Sequence, residues 1–205
     1  MTPTTRRYAG MSADDRAADR RARLLDAALE VFASAGAAGA TMTAICAQAK
    51  LTERYFYESF TSRDDALTQV VDAVSNEIRV AAIEALHSPA ATVEQQVENA
   101  IAAFVTVLTE DRRKGKVAMI ESAAVDSLRA HRRELMREFS RVVAHEARTL
   151  FGDRAWPQPQ SEINGLLFIG GLAELVVAWL SDEIDVTPAQ IIDAATHQFL
   201  SAAHR

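Results

Sequence analysis

The chain has 205 residues, of which 49% are hydrophobic and 24% are charged, and its formal net charge at pH 7 is −6. This composition is that of an ordinary soluble protein with one or two domains. A single cysteine, Cys46, excludes an intrachain disulfide. The N-terminus lacks the apolar run of a signal peptide, so we expect a cytoplasmic protein.

The acidic residues are concentrated in the C-terminal part of the chain. Residues 1–67 hold nine Lys or Arg and nine Asp or Glu, whereas the remaining residues hold 13 and 19. A neutral N-terminal part on an acidic body is compatible with nucleic-acid binding, because the local field matters more than the total charge. The overall acidity predicts modest non-specific affinity.

The first eleven residues show no hydrophobic period and are predicted to form a mobile arm. Arg6 and Arg7 would either reach a DNA minor groove, as basic arms do beside helix-turn-helix units, or belong to a plain disordered tail. Ser12 and Asp15 then predict the start of a helix that continues into an amphipathic stretch over 20–40. A glycine-containing segment predicts its end.

Residues 41–63 are the most informative stretch, because they indicate two short helices joined by a tight turn. Thr41 is expected to cap the first helix and Thr52 the second. Short helices are marginal alone, so a neighbour must hold this pair. Phe56 and Phe60 share one helical face and would be the anchors. The pattern is that of a helix-turn-helix, whose second helix enters the DNA major groove.

The opposite face of the second short helix presents groups that recognise DNA. Arg54 and Glu58 lie there, flanked by Tyr55 and Tyr57. Arginine can bind guanine through two hydrogen bonds, glutamate can accept from cytosine, and tyrosine or threonine hydroxyls can bind phosphates. Taken alone, this face is equally compatible with an ordinary solvated helix surface.

The neighbours of this pair favour a compact three-helix unit. Ile45 and Ala49 face inward at a spacing of four, and Cys46 beside them is expected to be a buried filler. Ser62 and Asp65 resemble a capping box that opens a long helix over 63–87. A unit of about 45 residues is too small to be comfortably stable, so it is expected to lean on that helix.

These residues resemble the N-terminal domain of TetR-type transcriptional regulators over 20–70. The resemblance is carried by the segment 21–32 and by a series of shorter matches. Those matches are Gly39-Ala-Thr41, Ile45, Ala49, Leu51-Thr52, Phe56-Tyr57 and Phe60-Thr-Ser-Arg63.

The resemblance implies an all-helical homodimer that represses transcription until a small molecule binds its C-terminal domain. It also implies two sets of DNA contacts. Positions that commonly touch phosphates are matched by Thr41, Thr52, Tyr57 and Arg63. Positions that start the recognition helix and read bases are matched by Glu53, Arg54 and Tyr55. Thr43 completes the predicted DNA-binding set.

Three residues depart from the family pattern. Lys50 replaces the glycine usual in the turn between the short helices, where a positive φ is often needed, so we expect modest strain or a different turn. Arg54 replaces another common glycine where the backbone nears the DNA. Arg63 replaces the usual lysine, and both residues bind phosphate. The first two departures bear on the docking pose and not on the fold.

The rest of the chain is predicted to be a series of helices. Apolar stripes mark the helix over 63–87 and the next helix, which a capping box of Thr92 and Gln95 opens. The basic segment 112–116 is expected to be a solvated turn or, alternatively, a further phosphate contact. A short helix over 116–124 follows, and then a helix over 126–151 with one charged face.

The segment 163–180 is apolar nearly all round, which excludes a surface helix. A transmembrane span is the first alternative, and we reject it because Asn164 and Glu174 interrupt a run near the minimum length. A helix buried on both sides remains, packed against its own domain and a second subunit. Its three glycines, Gly165, Gly170 and Gly171, would let another backbone approach closely.

The last predicted helix starts at Thr187, with Pro188 in its first position and a capping box completed by Gln190. It is expected to expose an apolar stripe of Ile191, Ile192, Ala195, Phe199 and Ala202. Two helices from each subunit, over 162–182 and 188–203, would form a twofold four-helix interface. Such a homodimer should bind a pseudo-palindromic operator in double-stranded DNA.

A small-molecule effector is expected between the helices of the C-terminal part, as the resemblance implies. Such a pocket would favour an apolar or aromatic ligand. Candidates for its wall are Phe104, Met119, Phe168 and Trp179, and candidates for its polar anchor are Glu121, His131 and Asn99.

An enzyme and a helical bundle without specific DNA binding are the two rival classes of function. Against an enzyme, His131 with Glu134 and His145 with Glu146 lack further metal ligands at plausible spacing. No phosphate-binding loop or nucleophile motif is present, so no catalytic residue, metal or cofactor is expected. The alternative is a helical bundle that sequesters a ligand or binds a protein without specific DNA binding. Such a bundle would not need the polar face around Arg54.

The sequence therefore predicts an all-α, ligand-responsive regulator of transcription, most simply a repressor without a membrane span. An N-terminal arm and the start of the first helix cover 1–19. A three-helix helix-turn-helix DNA-binding domain covers 20–66. A helical ligand-binding and dimerisation domain covers 67–205.

Overall fold

The structure is a computed structural model that describes residues 12–203, so Arg6 and Arg7 of the predicted arm lie outside the described residues. Over this range the chain is all-α, as the sequence predicts. The helices are α1 (Ala13–Gly39), α2 (Met42–Ala49), α3 (Glu53–Ser59), α4 (Arg63–His87), α5 (Val93–Thr109), α6 (Arg112–Gly115), α7 (Arg129–Phe151), α8 (Gln160–Leu180) and α9 (Pro188–Ala202). A π turn over Lys116–Ile120 and 3-10 turns over Glu121–Ala124 and Asp126–Leu128 connect α6 to α7.

Several helix starts follow from caps that the sequence carries. Ser12 and Asp15 form the predicted reciprocal pair at the start of α1, with both hydrogen bonds at 3.0 Å. Thr187 and Gln190 form the same box at α9, with Pro188 in the first turn. These caps satisfy N–H groups that have no acceptor within the helix.

The end of α1 is a kink and not a simple stop. Gly36 has φ 73° and ψ 165°, a conformation that a side chain with a Cβ rarely adopts. A Cβ at this position would also lie 3.2 Å from the Glu121 carboxylate. The Ala40 N–H donates to the Gly36 carbonyl oxygen and closes the turn before α2.

The N-terminal domain packs around a compact apolar core. Its largest fully buried side chains include Leu24, Phe32, Ile45, Phe56 and Phe60, contributed by α1, α2, α3 and the loop before α4. Two residues from beyond α4, Val117 and Leu128, complete the same core. The small domain therefore packs against α4, as predicted, and also against the turns between α6 and α7.

A second core holds the C-terminal helices together. It joins the C-terminal half of α4 to α5, α8 and α9 through residues such as Phe104, Leu108, Val176 and Ile191. Ile191 and Ala195 of α9 are buried in it, whereas the sequence analysis expected an exposed stripe there. The expectation is wrong because α9 lays this stripe against the core that includes α5 of its own chain.

The basic segment 112–116 is not a solvated turn. Asp111 accepts from the Arg113 N–H at 3.1 Å and starts α6, so the break between helices falls at Glu110 and Asp111. Because α6 continues directly into the π turn, the chain remains helical through Lys116, and its basic side chains bind other elements.

Helix α8 has one buried and one exposed apolar face. Leu172 and Val176 face the core, whereas Ile163, Leu166, Leu167 and Leu175 are exposed by 37–70%. Among the described helices, α8 is the one long and apolar enough to cross a membrane by length and composition, with a mean hydropathy of 1.9. A core helix of a soluble protein meets the same criterion.

Candidate nucleic-acid interface

Helices α2 and α3 are joined by a tight turn whose geometry the sequence anticipates. Thr41 caps α2 by accepting from the Ala44 N–H at 3.1 Å. Lys50 ends α2 in the left-handed conformation, with φ 54° and ψ 44°. The next N–H, that of Leu51, donates to the Cys46 carbonyl oxygen at 3.0 Å. The turn therefore has the positive φ that glycine usually supplies, and lysine adopts it here.

One face of α3 is anchored in the N-terminal core. Phe56 and Phe60 are 1% and 2% exposed, and their rings meet edge-on with centroids 5.2 Å apart. Cys46 is a buried free thiol, as expected, and burial raises its pKa. A seven-residue helix is unstable alone, so these anchors fix the direction in which α3 presents its other face.

The outer face of α3 is polar and accessible. The Arg54 side chain is 83% exposed, and its Nε donates to the Glu58 carboxylate at 2.9 Å. Tyr57 is 61% exposed. Glu53 and Thr52 are also exposed, as are Thr41 and Thr43 at the start of α2. Together these exposed side chains supply hydroxyls, a guanidinium and carboxylates.

Two predicted DNA contacts have a different setting from that expected. Thr52 occupies the first position before α3, but its hydroxyl makes no capping hydrogen bond, so that predicted cap is wrong. Tyr55 is half-buried against the N-terminal core, and the Arg20 guanidinium lies 4.6 Å from its ring centre. Tyr55 is therefore held at the edge of the exposed face by a cation–π contact with α1.

Arg63 has partners within the chain. Its Nη1 donates to the Ala37 carbonyl oxygen at 2.9 Å, and its Nη2 and Nε donate to Asp64 at 2.9 and 3.2 Å. Ser127 and Arg63 hold the pKa of Asp64 below its ordinary value. The predicted phosphate-binding arginine thus also ties the start of α4 to the kink of α1.

Basic residues on α1 were missed by the sequence analysis. Arg20 covers Tyr55, and the Arg23 Nη2 donates to the Ala49 carbonyl oxygen at 2.7 Å, at the C-terminal end of α2. The available signal was their spacing of three on one helical face. They place positive charge beside both short helices.

The comparisons with known proteins agree with this geometry. Residues 24–70 match the family described as bacterial regulatory proteins, tetR family. Residues 24–70 form a DNA-binding domain of the tetR type. The helix-turn-helix formed by α2 and α3 is thus similar to the one of these DNA-binding transcriptional regulators.

Solved structures with the TetR-type fold cover nearly the whole chain. The transcriptional regulator FadR from Bacillus subtilis, in complex with stearoyl-CoA, has a TM-score of 0.73 at 18% identity, covering 89% of this chain and 99% of that one. The fatty acid degradation regulator FadR from Bacillus halodurans has a TM-score of 0.71 at 17% identity, covering 91% and 97%. A tetR-family protein from Rhodococcus RHA1 has a TM-score of 0.66 at 21% identity, covering 91% and 98%.

At such identities these likenesses establish the fold alone. No curated protein matches the sequence closely enough to count as a relative. The similarity to the tetR family therefore lies in the sequence match over 24–70, and the solved structures extend it to the fold of the chain.

The C-terminal helices line a partly open, apolar cavity of about 100 Å³, which we term the effector cavity. Phe104 and Phe168, two of the predicted ligand-binding residues, line it together with Phe139 from α7. Arg79 of α4 and Glu146 of α7 also line it. Phe104 and Phe139 meet edge-on with centroids 6.4 Å apart.

The other predicted ligand contacts do not line this cavity. Trp179 packs under the Arg112 guanidinium, and its Nε1 donates to the Val186 carbonyl oxygen at 2.9 Å. Met119 packs at the edge of the second core. The Glu121 carboxylate accepts from the Ala37 N–H at 2.7 Å, at the kink of α1. His131 contacts Asp72 of α4 at 2.6 Å.

Glu121 belongs to a polar contact between the segment 113–121 and α1, which we term the domain joint. Its other members are Arg113, which donates to Glu30 of α1 at 2.9 Å, and Lys116, whose Nζ donates to the Ala33 carbonyl oxygen at 2.7 Å. Asp111 and Glu30 raise the pKa of Arg113 and keep it charged. The joint links α6 and the turns that follow it to the C-terminal half of α1.

Residues 12–203 contain no group of three or more His, Cys, Asp or Glu side chains placed to hold a metal ion.

Proposed function

We propose that this chain is a ligand-responsive repressor that binds a pseudo-palindromic DNA operator as a homodimer in the cytoplasm. The observation that carries the proposal is the outer face of α3. Arg54, Tyr57 and Glu58 are presented on a helix of seven residues that Phe56 and Phe60 fix in the core. A helix face that only contacts solvent would not require so short a helix to be anchored by two buried phenylalanines.

The proposed base contacts are Glu53, Arg54 and Tyr55. The Arg54–Glu58 ion pair is exposed, so it contributes little energy and does not prevent Arg54 from turning to a guanine. Tyr55 would act from its place beneath Arg20.

The proposed phosphate contacts are Thr41, Thr43, Thr52, Tyr57 and Arg63. Thr52 is suited to this role because its hydroxyl does not cap α3. Arg63 donates through three of its N–H groups to Ala37 and Asp64, and a guanidinium has five, so two remain for a phosphate.

The proposed dimer interface is formed by helices α8 and α9, over 162–182 and 188–203. The exposed apolar face of α8, with Ile163, Leu166, Leu167 and Leu175, supports this assignment because such a contiguous patch marks an interface. A Cβ at Gly170 or Gly171 would meet no atom within 4 Å, so both positions are open to a second helix. Gly165 instead packs against Ser140 of α7.

The proposed effector is a small molecule with an apolar or aromatic body that binds in the effector cavity. Phe104 and Phe168 would contact it, whereas Met119, Glu121 and Trp179 would not. The similar FadR from Bacillus subtilis was solved with stearoyl-CoA, whose acyl chain is apolar, and this supports an apolar ligand here.

The proposed mechanism couples the effector to DNA through α4 and the domain joint. Ala82, Ile83 and Leu86 line the effector cavity near the end of α4. The start of α4 packs in the core of the DNA-binding domain. A ligand that tilts α4 would change the distance between the two DNA-binding domains of the dimer. It can do so only if it binds the two states with different affinity. Unchanged operator affinity across a broad ligand screen would contradict this mechanism.

The test compares Arg54→Ala with Arg63→Ala on an operator obtained by selection. Arg54→Ala should relax the preference at one base pair by about 1–3 kcal/mol, as expected for one bidentate contact. Arg63→Ala should weaken every sequence alike and flatten the salt dependence. Arg63→Lys is the matched control, because it keeps the charge. If Arg54→Ala and Arg63→Ala weaken all sequences equally, the base-reading role of Arg54 is wrong.

A further inference from the structure

A second cavity, of about 220 Å³, lies between α4 and α7. We term it the α4–α7 cavity. Its polar lining consists of Asp72, Ser75, Asn76 and Arg79 from α4 and Glu138 from α7. Every residue that lines it belongs to one of these two helices, so the proposed dimer interface of α8 and α9 does not border it.

The α4–α7 cavity adjoins the effector cavity. Arg79, Phe139 and Val142 line both of them. At about 220 and 100 Å³, each is smaller than most small-molecule sites, which measure about 300–1,000 Å³. The two volumes together just reach that range. A ligand of ordinary size would therefore extend past these three side chains and occupy both cavities.

The two cavities differ in polarity. The effector cavity is lined by apolar side chains except for Arg79 and Glu146. In the α4–α7 cavity, five of the eight lining residues are polar or charged. Apolar walls favour an apolar body, and polar side chains favour a polar group that can pair with them. A ligand that occupies both cavities would therefore carry an apolar body and a polar head.

Two charged side chains of the α4–α7 cavity, Glu138 and Arg79, make no ion pair within residues 12–203. The Arg141 guanidinium, which is three residues from Glu138 on α7, donates to Glu134 at 2.8 Å instead. Arg79 donates to the uncharged side chain of Asn76. The polar head can therefore be an ammonium held by Glu138 or a carboxylate held by Arg79.

The surrounding charges favour the ammonium. Asp72 in the α4–α7 cavity and Glu146 in the effector cavity are carboxylates too, so three carboxylates and one guanidinium line the combined space. Asp72 contacts His131 at 2.6 Å, and Glu146 contacts His87 at 3.2 Å. Histidine side chains are generally neutral above about pH 7.5, so the combined space is then net acidic. A carboxylate head at Arg79 would be repelled by these groups.

We propose that the effector is an amphipathic amine. Its apolar body fills the effector cavity, and its protonated amino group pairs with Glu138 in the α4–α7 cavity. Phe139 lines both cavities, so its ring lies where the two parts of the ligand meet and can attract the cation through its face. This inference rests on the proposed effector site and adds the chemical class of its ligand.

The first test compares three probes that share a phenyl body and differ in the head group. They are 3-phenylpropylamine, 3-phenylpropan-1-ol and 3-phenylpropanoate, each titrated calorimetrically into the full chain at pH 8. Because Glu138 is exposed to solvent, its ion pair is modest, and the amine should bind about two- to fivefold more tightly than the alcohol. The carboxylate should bind most weakly.

The second test uses variants of the two cavities. Glu138→Gln should remove the preference for the amine and leave the affinity for the alcohol unchanged. Glu84→Gln is the matched control, because Glu84 is an exposed glutamate of α4 that lines neither cavity, and this variant should keep the preference. Ala100 lines the effector cavity and not the α4–α7 cavity, so Ala100→Leu should weaken the amine and the alcohol alike.

The contrary outcomes separate this inference from the proposed effector site. Equal affinities for the amine and the alcohol, or a preference that survives Glu138→Gln, would overturn the inference and leave the effector cavity as a ligand site. Tightest binding of the carboxylate would also overturn it and would assign the head group to Arg79. Absence of binding by all three probes, or binding that Ala100→Leu does not change, would contradict the proposed effector site itself.

Discussion

Replacing Lys50 with glycine should stabilise the protein, because the turn between α2 and α3 requires a left-handed residue. Lys50 has φ 54° and ψ 44°, and a residue with a Cβ pays about 1–2 kcal/mol for that conformation. Glycine avoids this cost but loses more chain entropy on folding, by about 0.4–1 kcal/mol. The expected net gain for Lys50→Gly is about 0.5–1 kcal/mol.

Thermal unfolding followed by circular dichroism measures this difference. For a chain of this size, about 1 kcal/mol corresponds to roughly 2–4 °C in Tm, so Lys50→Gly should raise Tm by about 1–4 °C. Lys50→Ala is the matched control, because alanine keeps the Cβ and its strain while losing the rest of the side chain. Since Lys50 is exposed, the alanine variant should stay within about 0.5 kcal/mol of the unchanged chain. If both variants have the same Tm, the turn is not strained and the reasoning fails.

Three further variants test the packing and the caps. Val117→Ala removes two buried methyl groups from the N-terminal core and should lower the free energy of unfolding, measured in urea, by about 2 kcal/mol. The control Val80→Ala, at a side chain that is 39% exposed, should lower it by less than about 0.5 kcal/mol. Equal losses in the two variants would contradict the shared core. Glu121→Ala leaves the Ala37 N–H without its acceptor and should lower the free energy of unfolding by about 1–3 kcal/mol. Glu121→Gln keeps an acceptor and should retain most of that stability. Equal losses in both variants would refute the role of this hydrogen bond. Gln69 and the Thr61 N–H lower the pKa of Asp65, so the stabilisation by this carboxylate is present above about pH 4 and is lost as the pH falls through the lowered pKa. The difference in unfolding free energy between the unchanged chain and Asp65→Asn should therefore disappear in acid. A difference that does not depend on pH would contradict this.

Sequence reasoning located the helices and the helix-turn-helix well because their signals are local. The caps at Ser12, Thr41 and Thr187 lie within three residues of the groups they bind. The spacing of Phe56 and Phe60 alone placed one face of α3 in the core and the other in solvent. The positive φ at Lys50 was likewise anticipated from the turn.

The contacts that the sequence did not reveal join residues far apart in the chain. Glu121 binds Ala37 across 84 positions, and Arg113 binds Glu30 across 83. No helical period encodes such pairs, so Glu121 was assigned to a ligand pocket and segment 112–116 to a turn. Arg63 was predicted as a phosphate contact without its bond to Ala37 for the same reason.

The positions of cavities could not be predicted from the sequence either, because periodicity identifies buried helix faces and not the gaps between them. Phe104 and Phe168 line the effector cavity, but Trp179, equally apolar in the sequence pattern, packs under Arg112.

The central claim is that the outer face of α3 binds a specific DNA sequence as part of a dimer. The most direct measurement is selection of random duplex DNA by the purified protein at near-physiological salt, followed by sequencing. The proposal predicts enrichment of an inverted repeat whose half-sites lie one or more helical turns apart. Weak, salt-sensitive binding without an enriched sequence would contradict it and favour a helical bundle that sequesters a ligand.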